Sequence, residues 1–321
     1  MVQPPFVPGD PASIVDYQSR MLDLLGKCEG KPTSQGMTFE LALVADYSNA
    51  TSPLSEPRPR APPAVPLGTR ARFILAEPVG IEPLQTDYGY RSQVWLAWLA
   101  ETGDVDPDVT LVFKFIIPSY MQLPEYDTAA IDIITGIYVF PEVRAIKEAT
   151  AYKKLACYGS TLPYFFGMHN VTLPHGEVAY LLVSEYVVGP ILLDVQAKID
   201  APDASPTTTK FWEYDQYFAL FCEAVTTLRE AHSRGAYHCD IKEAHIIVDE
   251  NNGHPVLIDW ENKDHSLSGQ ADEPRPLQAQ VWHDMRELLS AFFDCRRHNK
   301  RLSEYTDGVP DLARFYNNLI A

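Results

Sequence analysis

The sequence predicts an α+β protein, with strand signals gathered early in the chain and the strongest helical signal late. Three observations carry this reading. Residues 71–76, 92–99 and 109–115 are short apolar runs separated by turns, and a further one spans 180–187. Residues 213–231 repeat Tyr217, Leu220, Phe221, Ala224, Leu228 and Ala231 at spacings of three and four, which is a helical stripe. Residues 245–248 and 255–259 flank Asn251-Asn252-Gly253, a hairpin signal. With 321 residues, 46% of them hydrophobic, the chain can bury a sizeable core in one or two units.

Taken in order, residues 1–66 read as an extension. A short helix is expected over 16–28, with Ile14, Met21, Leu22 and Leu25 on one side, and a strand over 39–46. Residues 52–66 hold six prolines and little to bury, so they read as a linker or an extended lip. The strand at 109–115 contains Lys114 within Val112-Phe113-Lys114-Phe115-Ile116, where plain alternation would turn the lysine to solvent. Pro141 suits a first helical turn, and Val143, Ile146, Ala149, Tyr152 and Leu155 form a stripe over 141–157. Glu148 shares an edge with that stripe, four residues before Tyr152 and seven before Leu155. Residues 180–187 form an apolar strand that runs through Glu185 and Val187 before Gly189. Residues 200–210 and 266–278 read as loops, and 281–293 and 312–320 as helices.

The long helix at 213–231 stops at Gly235, which suits a left-handed C-terminal cap, and feeds the stretch from Tyr237 to Trp260. Asp240 stands just before the first hairpin strand and Asp259 at the end of the second. Two carboxylates on one rigid hairpin can converge on one point, as chemistry on a metal-bound phosphate requires. A zinc cluster from His238, Cys239, His245 and His254 is the competing reading, but their spacing matches no zinc-ligand pattern.

The formal charge of −17 disfavours nucleic acid and anionic membrane surfaces as partners. It is compatible with a cationic substrate or simply with a solubilising surface. The five cysteines are an odd number without a C-x-x-C pair, so free thiols in a reducing compartment are expected. The first residues lack a basic segment followed by an apolar one, and no run approaches the ~18 apolar residues of a membrane span. The expectation is an intracellular, cytoplasmic protein.

His238-Cys239-Asp240-Ile241-Lys242-Glu243-Ala244-His245 resembles the protein-kinase catalytic loop H-R-D-L-x-x-x-N, and Asp259-Trp260-Glu261 stands where D-F-G would follow. The Trp-Glu pair is closer to aminoglycoside phosphotransferases and choline kinases, and the mixture as a whole resembles divergent fungal kinase-like proteins. This resemblance implies a two-lobed protein kinase-like fold, with a small antiparallel-sheet lobe hinged to a mainly helical one. Residues 67–185 would form the first lobe and 186–321 an abbreviated second. It implies ATP-dependent phosphoryl transfer, with Asp240 as base, Lys242 beside the transferred group and Asp259 holding Mg²⁺. Lys114, paired with Glu148, would grip the nucleotide phosphates. Gly89 would lie in the loop over those phosphates, and backbone groups near Glu185 and Val187 would hold the adenine. Asp284 resembles the helix aspartate that hydrogen-bonds the catalytic-loop backbone.

The pattern also breaks in places. No G-x-G-x-x-G is present, and Tyr88-Gly89-Tyr90-Arg91-Ser92 is the best substitute. His245 replaces the metal-binding Asn, and imidazole is a poor ligand for Mg²⁺, so one metal, Mn²⁺ or a hydrogen-bonding role for His245 follows. Cys239 replaces the Arg, which disfavours switching by loop phosphorylation. The expected partners are a nucleotide and a hydroxyl-bearing acceptor. Lys242 tilts the acceptor towards protein Ser/Thr, while Trp260-Glu261 and the short C-terminal part tilt it towards a small molecule. A pseudokinase, binding or scaffolding without turnover, is the reading from another class.

Overall fold

The computed structural model describes residues 5–44, 60–80, 92–101, 104–135, 138–155, 159, 161–260 and 277–307. Six antiparallel strands form one sheet in the order β1-β2-β3-β4-β6-β5. They are β1 (Thr38–Ala42), β2 (Arg70–Gly80), β3 (Ser92–Glu101), β4 (Asp104–Ile116), β5 (Phe165–Thr172) and β6 (Val178–Glu185). The strand expected over 39–46 thus joins this sheet, Phe39 lying opposite Phe73. In β2 the register shifts on either side of Pro78, which has no N–H to give the ladder.

Alternation along β4 explains what the sheet does. Leu111, Phe113 and Phe115 point into an aromatic core with Phe39, Phe73, Trp95 and Phe166. The Phe73 and Phe113 rings lie 5.7 Å apart. Ile116 belongs instead to a second core, shared with helix α3 (Pro141–Leu155) and the later helices. The face opposite the aromatic core is therefore covered by a helix, not open to water. Tyr152 of α3 stacks on Phe165 of β5 at 4.8 Å.

Helix α1 (Pro11–Gly30) starts earlier than the apolar stripe indicated. Asp10 caps it by accepting from Ala12 N–H at 3.1 Å, with Pro11 in the first position. Phe6, Ile14, Tyr17 and Met21 pack on Tyr138 and Phe140, around α2 (Ala129–Thr135), in a small core of their own.

The second core is built on α5 (Tyr214–Ser233), whose stripe from Tyr217 to Ala231 is buried as the periodicity predicts. Gly235, at φ +68°, closes the helix. Its N–H donates to His232 C=O and that of Ala236 to Ala231 C=O, both at 3.0 Å, a Schellman pair. Helices α4 (Leu192–Asp200) and α7 (Asn299–Asp307) were not expected. Helix α6 (Leu277–Phe293) contains the helix expected over 281–293, and the one expected over 312–320 lies outside the described residues. Among the described residues no helix is long and apolar enough to cross a membrane. Cys28, Cys222, Cys239 and Cys295 are free thiols, as expected, and Cys157 lies outside the described residues.

The hairpin consists of β7 (Ile246–Val248) and β8 (Pro255–Leu257), with Ile246 opposite Leu257. Its turn is wider than a two-residue Asn-Gly link. Asp249 accepts from Asn251 N–H and Asn252 from His254 N–H, both at 2.9 Å, so two side chains shape the loop before Gly253.

Candidate active site

Lys114 projects from the covered face of β4, which answers the question that alternation left open. Its Nζ donates to Glu148 Oε2 of α3 at 2.8 Å and also contacts Asp259 Oδ1, just past β8. Sheet, helix and hairpin meet at this one ammonium. Burial alone would lower the lysine pKa, but Asp259 and Glu148 more than offset it and leave the ammonium firmly charged. Burial likewise works against the Asp259 charge. Lys114, then His245, overcome it and hold this carboxyl below the usual carboxylate range. Glu148 shares Lys114 with a second acid, and burial pushes its carboxyl up to about 7.

The catalytic-loop candidates lie across from this cluster. His245 Nδ1 donates to the Asp240 carbonyl at 2.7 Å, which fixes the ring so that Nε2 faces Asp259 Oδ2 at 3.3 Å. Asp240 Oδ2 lies 3.6 Å from His245 Nδ1 and 3.3 Å from Lys242 Nζ. The Asp240 and Lys242 side chains are 44% and 50% exposed, so a solvent-borne acceptor can reach both. One ligand atom from each of Asp240, His245 and Asp259 falls within 4.8 Å of the others, a set able to hold a divalent ion. Two carboxylates and an imidazole suit a borderline ion better than a hard one.

The loop is held in strain. Cys239 at φ +63° and Asp259 at φ +64° are the non-glycine residues with positive φ among those described. Each costs roughly 1–2 kcal/mol and persists only where neighbours fix it. Asp284 of α6 does so for Cys239, accepting from His238 N–H at 2.8 Å and Cys239 N–H at 2.7 Å. His232 stands against the same carboxylate at 2.9 Å. Burial raises the Asp284 pKa, but the His232 hydrogen bond and charge outweigh it, so the acid is held ionised. Glu287, one turn further along α6, accepts from Ile241 N–H at 2.9 Å.

His238 is wholly buried, donates Nε2–H to Ile258 C=O at 2.9 Å, and lies 4.8 Å from the Trp260 ring. Burial depresses its pKa to about 4. The unfolded chain therefore takes up a proton, at its ordinary value near 6.5, that the fold refuses. The resulting stability is present above pH 6.5 and lost as the pH falls from there towards 4, by roughly 3 kcal/mol at most. Urea unfolding at pH 7 and 4.5 should show this loss, and His238→Gln should reduce it. An equal pH dependence in the two proteins would contradict the assignment.

Lys114, Glu148, Asp240, Lys242, His245 and Asp259 are thus brought together. Gly89 lies outside the described residues. Val187 is buried, and Glu185 N–H is taken by Tyr164 C=O at 2.7 Å. The Glu185 carboxylate receives Arg60, a partner that sequence reading missed because 125 residues separate them and nothing periodic links them. Glu287 was also missed, although its place three residues after Asp284 could have marked it.

No protein-family model matches the chain. Part of it is similar to the serine/threonine-protein kinase D of Synechocystis, with 29% identity over 114 residues, which are 36% of this chain and 19% of that protein. The chain thus matches about a fifth of that relative's length. Among solved structures, a double mutant of the Mycobacterium tuberculosis PknI kinase domain aligns at TM-score 0.42 and 16% identity, covering 77% of this chain and 85% of that one. Another PknI kinase-domain structure aligns at TM-score 0.41 and 16% identity, covering 70% and 71%.

Proposed function

We propose that this chain is a two-lobed phosphotransferase that moves the γ-phosphoryl group of ATP to a hydroxyl. The observation that carries the reading is the Lys114–Glu148–Asp259 contact, beside which Asp240 stands open to solvent. A lysine gripped by two acids is a preformed, charged donor for phosphate oxygens. The partial likeness to a serine/threonine-protein kinase supports the same reaction class.

The roles follow from placement. Asp240 accepts the acceptor's hydroxyl proton, and Lys242, 3.3 Å from it, offsets charge on the group being moved. Lys114 holds nucleotide phosphates, with Glu148 fixing its direction. Asp259 and His245 would hold a divalent ion, whose charge would neutralise the phosphate oxygens when bound. Because His245 offers nitrogen, Mn²⁺ is favoured over Mg²⁺. An exposed Lys242 beside Asp240 favours protein Ser/Thr as the acceptor, with a small amine-bearing alcohol next.

One observation favours a second reading. Lys114 already occupies an oxygen of Asp259, which suits a module that binds without turning over. Thermal shift with ATP plus Mn²⁺ or Mg²⁺, and labelled ATP with basic proteins or a metabolite extract, separate the two. We expect a larger shift with Mn²⁺, and label transfer that Asp240→Ala abolishes while the shift stays. A shift without transfer to any acceptor would support the binding module, and transfer by Asp240→Ala at the native rate would reject the assigned base.

A further inference from the structure

We propose that Arg60 is a positioning residue: a clasp between the strand end where the nucleotide base would lie and the hairpin that carries Asp259. What the clasp positions rests on the function proposed above. The clasp itself rests on geometry.

Arg60 precedes β2, in a stretch expected to be a linker or lip. Its side chain is only 10% exposed. Nε and Nη2 donate to the two carboxylate oxygens of Glu185 at 2.8 and 3.0 Å, and Nη1 donates to Asp249 Oδ2 at 3.2 Å. Nη2 also donates to Leu162 C=O at 3.0 Å. The backbone is tied as well: Arg60 N–H donates to Gly159 C=O at 2.5 Å, and the Tyr164 hydroxyl donates to Arg60 C=O at 2.7 Å. Tyr164 N–H donates in turn to Glu185 Oε2 at 2.9 Å.

Three segments therefore converge on one planar cation. Glu185 ends β6, Asp249 follows β7, and Gly159, Leu162 and Tyr164 come after α3, the helix that supplies Glu148. Each of these elements places a different part of the candidate site. Glu185 and Asp249 are 7% and 1% exposed, so without the cation two buried acids face one another. In so dry a setting their repulsion drives the segments apart. A guanidinium fits because its fork meets one carboxylate with two hydrogen bonds and still reaches a second, which a lysine ammonium cannot reproduce.

Hydrogen exchange and nucleotide binding on the full chain test this, with Arg60→Met, Arg60→Lys and the native protein compared. Arg60→Met should speed amide exchange by about tenfold or more in 185–191, 246–257 and 159–166, while α1 and the middle of α5 keep their protection. Affinity for a non-hydrolysable ATP analogue with Mn²⁺ should fall by about tenfold, and millimolar methylguanidinium should restore both properties. Arg60→Lys should fold yet recover less than half of the lost affinity. Exchange that rises equally throughout the chain, or only at 60–68, would overturn the clasp, as would failure of methylguanidinium to restore protection. If the native protein bound no nucleotide, the function proposed above would fall, and the exchange pattern would still decide the clasp.

Discussion

Asp259→Asn should lower turnover by about a thousandfold, equivalent to ~4 kcal/mol of lost transition-state stabilisation, while leaving the fold nearly as stable as before. The two halves of this expectation have separate causes. On the function proposed above, turnover would fall because an amide would hold a divalent ion less well than a carboxylate, and because Lys114 loses one of its two acids. Stability survives because Lys114 keeps Glu148 at 2.8 Å and because asparagine tolerates the left-handed backbone at φ +64°. Glu148 should respond as well. With its rival for the ammonium gone, its carboxyl should ionise at a lower pH than the value near 7 it has beside Asp259. Steady-state kinetics beside denaturant unfolding gives the answer. Activity within tenfold of native, from a folded variant, would remove Asp259 from the site.

Asp284→Ala should destabilise the protein by about 3–5 kcal/mol, the cost of leaving buried donors without their charged acceptor. Asp284 is wholly buried and accepts from two consecutive backbone N–H groups, one of them on the strained Cys239. Removing the acid strands both donors and releases the residue that presents Asp240. Asp284→Asn keeps one acceptor but turns an N–H₂ group towards a donor, so its cost should be about half as large. Urea midpoints for the two variants measure this directly. A loss under ~1 kcal/mol for the alanine variant would show that the loop holds itself.

Much of this was legible in the residues, for identifiable reasons. The stripe of α5 and the acids at the hairpin ends are local features, and local spacing reports local structure. Lys114 was ambiguous because alternation tells which residues share a face but not whether that face is covered. α3 covers it, and the chain meets α3 only after β4. The limits of the hairpin turn, 249–254, were legible too, because the branched residues stop at Val248 and resume at Pro255, and Asp249 and Asn252 spend their side chains on backbone N–H groups within it. Arg60 was unreadable for a different reason. Its partners lie 125 and 189 residues away, and a cation in a proline-rich stretch looks the same whether it is solvated or buried.

Trp260 sets a limit on how this molecule can change shape. It is the largest fully buried side chain among the described residues, its indole N–H is spent on Leu257 C=O at 3.1 Å, and its ring leans on His238. Swinging the neighbouring acid inward would evict that indole, at a cost of roughly 3–5 kcal/mol for the void left behind. An inhibitor that depends on such an eviction would forfeit about two to four decades of affinity. The acid beside Trp260 therefore works as a fixed post, held in one place against Lys114 and His245.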